Sequence, residues 1–313
     1  MYTFQLKKIA MAALMTALVG STITKLHAHG FVGDRFFPAT IQTDDPFAVD
    51  ELALPTIQLF NNPGDGGGPK VREIDISSSF TKEIFPKFAL GITETYVNQR
   101  PSGGPSVTGF DNLSLSPKYE VWQNNPHEFI FAVGGDIDLG GTGSKAIANS
   151  YSTYTPTLYY GKGFGDLPDS LKYLKPFALT GTLGYQIQGE ASTDGVANPN
   201  SLEWGFALEY SLPYLENHVE DVGLPKFIKN MIPLVEFSMS SPENHGGGPT
   251  TGTINPGLLY ETKNFQVGAE AVIPVNSATG PNVGAVVQVQ IYIDDIWPKI
   301  FGGPIFGHRE EDK

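Results

Sequence analysis

The 313 residues carry 33 acidic and 20 basic side chains, a formal net charge of −13, with 36 glycines, 24 prolines and no cysteine. This acidity leaves no basic footprint for a nucleic-acid backbone. The glycine and proline content argues against a helical bundle, whereas 40% hydrophobic and 12% aromatic residues argue against disorder. A chain without cysteine has no disulfide framework, thiolate zinc site or cysteine nucleophile. The length allows two ordinary domains or one large all-β domain.

The first 28 residues have the pattern of a secretory signal peptide. Lys7 and Lys8 precede an apolar run at 9–19 (IAMAALMTALV), and a small-residue cleavage site follows at Ala28. The run is too short to cross a hydrocarbon layer of about 30 Å as a helix. We therefore expect an exported protein of the periplasm or the outer membrane of a Gram-negative bacterium. The alternative is a buried helix that opens a cytosolic domain.

From residue 52 onward, apolar residues alternate with small or polar residues, as in strands with one apolar face. In residues 201–210 (SLEWGFALEY) the large apolar side chains occupy the even positions. Twelve strands are predicted, at 52–60, 71–82, 88–98, 112–123, 129–140, 151–162, 176–190, 201–212, 231–241, 252–262, 265–275 and 283–294. Most run for about ten to fourteen residues, long enough to cross a bilayer at a tilt. The prediction is an all-β fold, a transmembrane antiparallel up-and-down β-barrel of about 12 strands.

The connectors between these strands alternate in length and so orient the barrel. Those at 124–128 and 261–264 are short and are assigned to the periplasm, whereas the Gly/Ser/Asn-rich loops, such as 141–150, are assigned to the outside. Bulges or shifted strand ends are expected to absorb five prolines inside the strands, Pro117, Pro156, Pro233, Pro256 and Pro274. The predicted organisation is a signal peptide at 1–28, an N-terminal segment at 29–51, a barrel at 52–294 and a C-terminal tail at 295–313.

Several stretches resemble one family of outer-membrane proteins. They are 112–121 (NLSLSPKYEV), 252–260 (GTINPGLLY), 265–276 (FQVGAEAVIPVN), 294–298 (DDIWP) and 303–307 (GPIFG). Over residues 111–307 the chain is similar to the family named for the meta-pathway of phenol degradation. The resemblance implies a transporter-like outer-membrane barrel that admits small hydrophobic or aromatic molecules. It carries no catalytic residues over to this chain.

Few residues have a pattern that would support catalysis. Cleavage after Ala28 would leave His29 at the amino terminus, where its amine and ring could hold copper. The second ligand would be His127, His218 or His245, none of which has a partner at metal-binding spacing. No serine-hydrolase elbow and no nucleotide-binding glycine loop is present in the sequence. We therefore expect no catalytic residue, no metal and no cofactor.

The two-residue period directs eight charged side chains away from the lipid. They are Lys118, Glu120, Asp136, Asp138, Glu203, Glu209, Glu236 and Glu270. Seven acids against one base would give a lumen that favours cations or neutral solutes over anions. The alternative is that these acids pair with Lys or Arg of other strands, or with an inserted plug, and take no part in passage.

The segment before the first strand lacks a strand pattern and contains Phe31, Phe36, Phe37 and Phe47. We expect it to tuck into the barrel mouth as a plug or gate, and a periplasmic tail is the alternative. The acids of this segment, Asp44, Asp45 and Asp50, lack the spacing of a calcium loop and are expected to be solvated. Aromatic residues near the strand ends, Tyr159 among them, are assigned to girdles at the lipid interfaces.

The sequence thus predicts an outer-membrane channel for the passive uptake of small hydrophobic or aromatic molecules, and not an enzyme. Its partners would be outer-membrane lipid, the solute and the barrel-assembly machinery, with no nucleic acid. Two alternatives stay open. One is an exported copper enzyme built on His29, and the other is a structural or adhesive barrel that moves nothing.

Overall fold

The computed structural model describes residues 30–63 and 70–307, which form a barrel of twelve antiparallel strands. The strands are β1 (Glu51–Asn62), β2 (Val71–Phe85), β3 (Phe88–Pro101), β4 (Ser114–Asn124), β5 (Phe129–Asp138), β6 (Thr153–Gly163), β7 (Phe177–Gln188), β8 (Ser201–Tyr210), β9 (Met231–Pro242), β10 (Thr251–Glu261), β11 (Phe265–Pro274) and β12 (Gly284–Ile291). Each strand pairs with its neighbours in sequence, and β12 pairs with β1. The ring is closed, so no strand presents an unpaired edge to the bilayer. The predicted fold class is confirmed.

The outer face of the barrel is an apolar band. In β8 the exposed Trp204 and Leu208 alternate with the buried Ala207 and Glu209, which is the predicted period. The other exposed members of the band include Ile76, Phe80, Ile92, Leu158, Leu183, Leu258, Ile273 and Val287. A continuous apolar surface of this kind is stable against hydrocarbon and unstable against water.

The two ends of the barrel differ in their connections. The turns at 86–87, 125–128 and 262–264 join strands at the end where β1 begins and β12 finishes. We call this end the periplasmic mouth, since barrels place their short turns there. Longer connections at the same end contain helical turns at Asp169–Leu174, Leu212–Tyr214, Leu215–Val219 and Ile228–Asn230, and the shorter turn contains Asn125–His127. The opposite end carries the loops assigned to the outside, with small strands at Val107–Phe110, Ser192–Thr193 and Val196–Ala197.

The chain after β12 stays at the periplasmic mouth. It forms helical turns at Ile293–Ile296 and Pro298–Phe301, and then the N–H groups of Ile305 and Phe306 donate to the carbonyls of Glu83 and Ile84 on β2. The last strand was predicted to reach 294, but it ends at Ile291 because a helical turn begins at 293. Within the described residues, every helix is too short or too polar to cross a membrane.

The strand prolines are accommodated differently from the expectation. Pro156, Pro233 and Pro256 lie opposite Gly135, Leu258 and Val235 in unbroken register. None of the five named prolines lies at a register shift; the shifts fall, for example, between Glu120 and Trp122 and between Ala53 and Thr56, the latter at Pro55. A proline removes one N–H donor from the ladder but leaves the residue pair in place, so these strands pass through their prolines without a bulge.

Candidate functional site

Residues 30–50, which we call the inserted segment, lie inside the barrel. Gln266 of β11 donates to the Ala39 carbonyl (2.7 Å), and Glu120 of β4 accepts from the Ala48 N–H (2.8 Å). Because β4 and β11 stand on opposite sides of the ring, a segment that contacts both occupies the lumen.

The phenylalanines of the inserted segment anchor it to the wall. Phe37 and Phe47 are buried, with ring centroids 5.9 Å apart, and they pack in a cluster with Val32, Val49, Ile130 and Ala178. Phe36 packs against a second cluster formed by Ile232, Leu234 and Leu259. Phe31 is 40% exposed at the periplasmic mouth, where its ring lies 5.2 Å from that of Phe36. Three of the four phenylalanines are therefore within the barrel, and the fourth is at its rim.

A buried arginine holds the start of the inserted segment at the periplasmic mouth. Arg35 is 0% exposed, its Nε lies 3.1 Å from Glu128 Oε2, and its other nitrogens donate to the carbonyls of Pro176 (3.1 Å) and Lys175. The guanidinium carbon lies 3.6 Å from the centre of the Tyr214 ring. Arg35, Glu128 and Tyr214 form what we call the mouth clamp, which joins the segment to three separate periplasmic connections.

Tyr214, the third member of the mouth clamp, is a hydrogen-bond donor. The Tyr214 hydroxyl donates to Glu128 Oε1 at 2.8 Å, while the Gly165 N–H donates to the other oxygen at 2.9 Å. Burial raises the pKa of the Tyr214 phenol, and the bond to Glu128 raises it further. The phenol therefore stays protonated in the physiological range, and the Glu128 carboxylate has a donor on both oxygens and a cation beside it.

The top of the inserted segment is held by one carboxylate. Glu236 of β9 is 0% exposed and accepts hydrogen bonds from three consecutive N–H groups, those of Ile41 (2.7 Å), Gln42 (3.0 Å) and Thr43 (2.6 Å). Hydrogen bonds to an ionised acceptor are shorter and stronger than neutral ones. The contact therefore fixes the backbone of the segment where it turns back toward the mouth.

Lys118 of β4 holds the segment from the facing wall. Its Nζ lies 2.7 Å from Asp44 Oδ2 and 2.7 Å from the Asp45 carbonyl, and 4.7 Å from the centre of the Tyr159 ring. Asp45 and Asp50 are buried, and Asp50 pairs with Lys82. The expectation that the acids of this segment are solvated is therefore wrong for those two. Tyr159 is likewise a lumen residue, not a member of a lipid girdle.

All eight charged residues predicted to face away from lipid lie on inward faces of the strands. Lys118, Glu120 and Glu236 contact the inserted segment. Three acids of the outer half accept from hydroxyls of neighbouring strands, Asp136 from Ser116, Asp138 from Thr153 and Glu203 from Ser240. Glu209 and Glu270 are buried beneath the segment. Some of these residues thus pair with the inserted segment. A role of any of the eight in the passage of solutes stays a prediction.

The lumen beyond the inserted segment is open and polar. Two cavities of about 340 and 540 Å³ lie toward the outer loops and share Gln42, Glu203 and Ser238 in their walls. A third, of about 270 Å³, lies between the segment and β1–β4, beside Lys118. The walls are mostly Ser, Thr, Asn, Gln and acidic side chains, with few aliphatic ones. The lumen is thus open toward the outer loops, whereas the inserted segment occupies its periplasmic half and leaves a further cavity of about 380 Å³ at the mouth, beside Phe31, Phe36 and Tyr214.

The mouth clamp is not predicted from the sequence. Glu128 and Tyr214 lie in connections that have no pattern of their own. Arg35 carried one signal, because it is the only basic residue in the otherwise acidic stretch 30–50. A single cation in a segment of apolar and acidic residues is a candidate for a buried ion pair once the segment is assigned to a protein interior.

The predicted copper ligand His29 lies outside the described residues. Within the described residues, no group of three or more His, Asp or Glu side chains is arranged to hold a metal. His127 lies at the periplasmic mouth, 3.0 Å from Asp166, with most of its side chain exposed.

Comparison with protein families finds no match, and comparison with curated protein sequences finds none. Solved structures are similar to this chain at low sequence identity. An outer-membrane channel from Pseudomonas putida F1 has a TM-score of 0.53 at 11% identity, over 80% of this chain and 97% of that chain. The beta domain of the Bordetella autotransporter BrkA has a TM-score of 0.49 at 8% identity, over 78% of this chain and 99% of that one. The NanC porin has a TM-score of 0.45 at 8% identity, over 76% and 98%.

At these identities the likeness concerns the fold alone. The closed twelve-stranded barrel with its outward apolar band, a fold shared with proteins of bacterial outer membranes, indicates the outer membrane of a Gram-negative bacterium, as predicted. The resemblance to the family named for the meta-pathway of phenol degradation is not confirmed and stays a prediction.

Proposed function

We propose that the protein is an outer-membrane channel for the passive uptake of small molecules, and that the inserted segment is its gate. The observation that carries the proposal is the division of the lumen. Its outer half is an open polar vestibule, and its periplasmic half is occupied by a segment that belongs to no barrel strand. A structural barrel needs neither feature.

The attachment of the inserted segment supports a gating role. Its contacts to the wall are side-chain bonds at the mouth clamp, Glu236, Lys118, Glu120, Gln266 and the Asp50–Lys82 pair, together with two small apolar clusters. The ladder of the barrel closes without it, through the pairing of β12 with β1. The segment can therefore leave the lumen without breaking a barrel hydrogen bond, as a gate must.

The solute class follows from the walls and from the predicted family. The resemblance implies small hydrophobic or aromatic molecules, and the vestibule is lined by hydroxyls, amides and carboxylates. Burying such groups against a fully apolar solute would leave them without hydrogen bonds. We therefore propose small aromatic or alkyl compounds that carry a hydrogen-bonding group.

The channel proposal is tested by planar-bilayer conductance of the refolded mature protein. Deleting 30–48 should raise single-channel conductance, because it empties the periplasmic half of the lumen while the strands remain. Heat-modifiable migration of the deleted protein controls for barrel folding. A folded, membrane-inserted deletion variant without channel activity would contradict the proposal and favour a structural barrel.

We also expect the open channel to prefer cations. The vestibule walls include Asp136, Asp138 and Glu203 on the strands, and field lines are focused in a narrow polar lumen. Reversal potentials in asymmetric potassium chloride should therefore lie on the cation side. Asp138→Asn combined with Glu203→Gln should shift them toward zero, and anion preference in the unmodified protein would refute the expectation.

A further inference from the structure

Four polar side chains form a buried patch beneath the inserted segment. Glu209, Glu236, Asn255 and Glu270 stand on the consecutive strands β8, β9, β10 and β11, and their exposures are 1%, 0%, 0% and 4%. Asn255 lies directly opposite Glu236 in the register, so both side chains point into the lumen at the same level. We call these four residues the acidic patch.

The patch is closely packed at its centre. The Cγ of Glu270 occupies the space that a Cβ on Gly257 would need, so the side chain extends across β10. It thereby comes close to the carboxylate of Glu236 on the next strand. The glycine at 257 is what leaves room for this approach.

Glu236 accepts from the inserted segment, and within the described part of the chain the Glu270 carboxyl has only that of Glu236 beside it, with which it shares a proton. Neither the amide oxygen nor the amide nitrogen of Asn255 has a partner among the described residues, nor does the Oε2 of Glu209. Arg35 contributes some positive potential at Glu209, but its donors are directed to Glu128 and to the carbonyls of Lys175 and Pro176. The patch is thus rich in acceptors that the inserted segment does not use.

The part of the inserted segment that reaches the patch combines an apolar side chain with N–H donors. Ile41 packs against the cluster of Ile232, Leu234 and Leu259, and its own N–H donates to Glu236 at 2.7 Å. With the segment withdrawn, the lumen would present an apolar wall beside three carboxyl groups and an amide. An alkyl or aryl group that ends in an ammonium matches both surfaces, since an ammonium carries a positive charge and three donors.

We infer that the acidic patch is a binding site for solutes with an organic ammonium group, and that the inserted segment occupies this site in the solute's place. The inference rests on the proposed channel function and names the solute class of that same lumen. Buried carboxylates are costly without a cation, so a cationic solute gains more from this site than a neutral one of the same shape. Competition between solute and segment would couple arrival of the solute to opening of the channel.

The test measures binding by calorimetry in detergent, with benzylammonium as the probe and benzyl alcohol as its neutral match. The full mature protein and the variant that lacks 30–48 are compared. We expect benzylammonium to bind the deletion variant about tenfold or more tightly than the full protein, because the competing segment is absent. Benzyl alcohol should bind each of these two proteins more weakly than benzylammonium does.

Point variants locate the site. Glu270→Gln in the deletion variant should weaken benzylammonium binding by about tenfold or more. Glu243→Gln, which removes an exposed carboxylate beyond the outer end of β9, is the matched control and should change nothing. Heat-modifiable migration shows that each variant is folded, and Asn255→Leu provides a second, uncharged change in the patch.

Two outcomes would overturn the inference. In the first, benzylammonium and benzyl alcohol bind with equal affinity. In the second, neither Glu270→Gln nor Asn255→Leu changes the binding of benzylammonium. Because the binding is measured without a membrane current, the result is separate from the channel proposal. A protein that conducts but does not distinguish the two probes remains a channel without this site. A protein that binds the amine through Glu270 but never conducts keeps the site and loses the channel.

Discussion

Replacing Arg35 with alanine is expected to free the inserted segment from the periplasmic mouth. The guanidinium is fully buried and contacts Glu128, two carbonyls and the face of Tyr214. Removing one partner of a buried ion pair typically costs about 3–5 kcal/mol, because the other charge is left uncompensated. Here the substitution destabilises only the docked state of the segment. When the segment is withdrawn, residue 35 lies in water, so the arginine makes no buried ion pair there to lose.

Because the chain has no cysteine, a single introduced thiol can report whether the inserted segment is docked. In Ala48→Cys the thiol occupies a buried position of the inserted segment, and it is the only thiol in the chain. Adding Arg35→Ala should speed the reaction of this thiol with a polar maleimide by about a hundredfold or more. This factor corresponds to the loss of docking free energy given above, provided that opening and closing are fast compared with labelling. A thiol at Ser102, on an outer loop, should react at one rate in both backgrounds.

Arg35→Lys is the informative relative of that variant. An ammonium keeps the charge but lacks the planar fork that reaches Glu128 and two carbonyls together, and it stacks less well on a tyrosine. We expect its labelling rate to lie between those of the unmodified protein and the alanine variant. Labelling at position 48 that is unchanged by either substitution would show that the mouth clamp does not hold the segment.

The barrel was predictable because the lipid imposes a simple rule. Each crossing strand needs apolar side chains on one face only, and in β8 this produces large residues at Leu202, Trp204, Phe206 and Leu208 with small or acidic ones between them. The rule depends on no partner elsewhere in the chain, so one strand can be read by itself. The number of strands follows from repeating it.

The candidate site was less predictable, because its contacts join residues that are distant in sequence. Arg35 and Glu128 are 93 positions apart, and Ile41 and Glu236 are 195 apart. Within β6 the period itself is hidden, since Leu158, Tyr159 and Tyr160 are consecutive and all apolar or aromatic. Tyr159 is assigned to a lipid girdle because it lies near a strand end, although it lies inside against Lys118. A lumen that is filled by protein loses the polar signal that marks a wet one.

Replacing Glu236 with glutamine is expected to open the channel by releasing the inserted segment at 41–43. Three backbone N–H groups converge on this carboxylate at 2.6–3.0 Å. A hydrogen bond to a charged group contributes about 1.5–3 kcal/mol, and glutamine removes the charge while turning an NH₂ toward N–H donors. The three bonds share one acceptor and are not additive, so we expect a total loss of about 3 kcal/mol rather than three times a single value.

The open fraction in planar bilayers should therefore rise by about a hundredfold when the closed state is strongly favoured. Glu243→Gln serves as the control, because it removes a charge beyond the same strand without touching the inserted segment. An open fraction that matches the control would mean that Glu236 does not hold the gate. Because Glu236 also belongs to the acidic patch, Glu236→Gln should open the channel in the full protein and should weaken benzylammonium binding when it is introduced into the deletion variant, where no segment competes. Deletion of 30–48 should open the channel and strengthen that binding. The substitution and the deletion should thus have the same effect on opening and opposite effects on binding. This combination is expected of a gate that competes with the solute for one carboxylate.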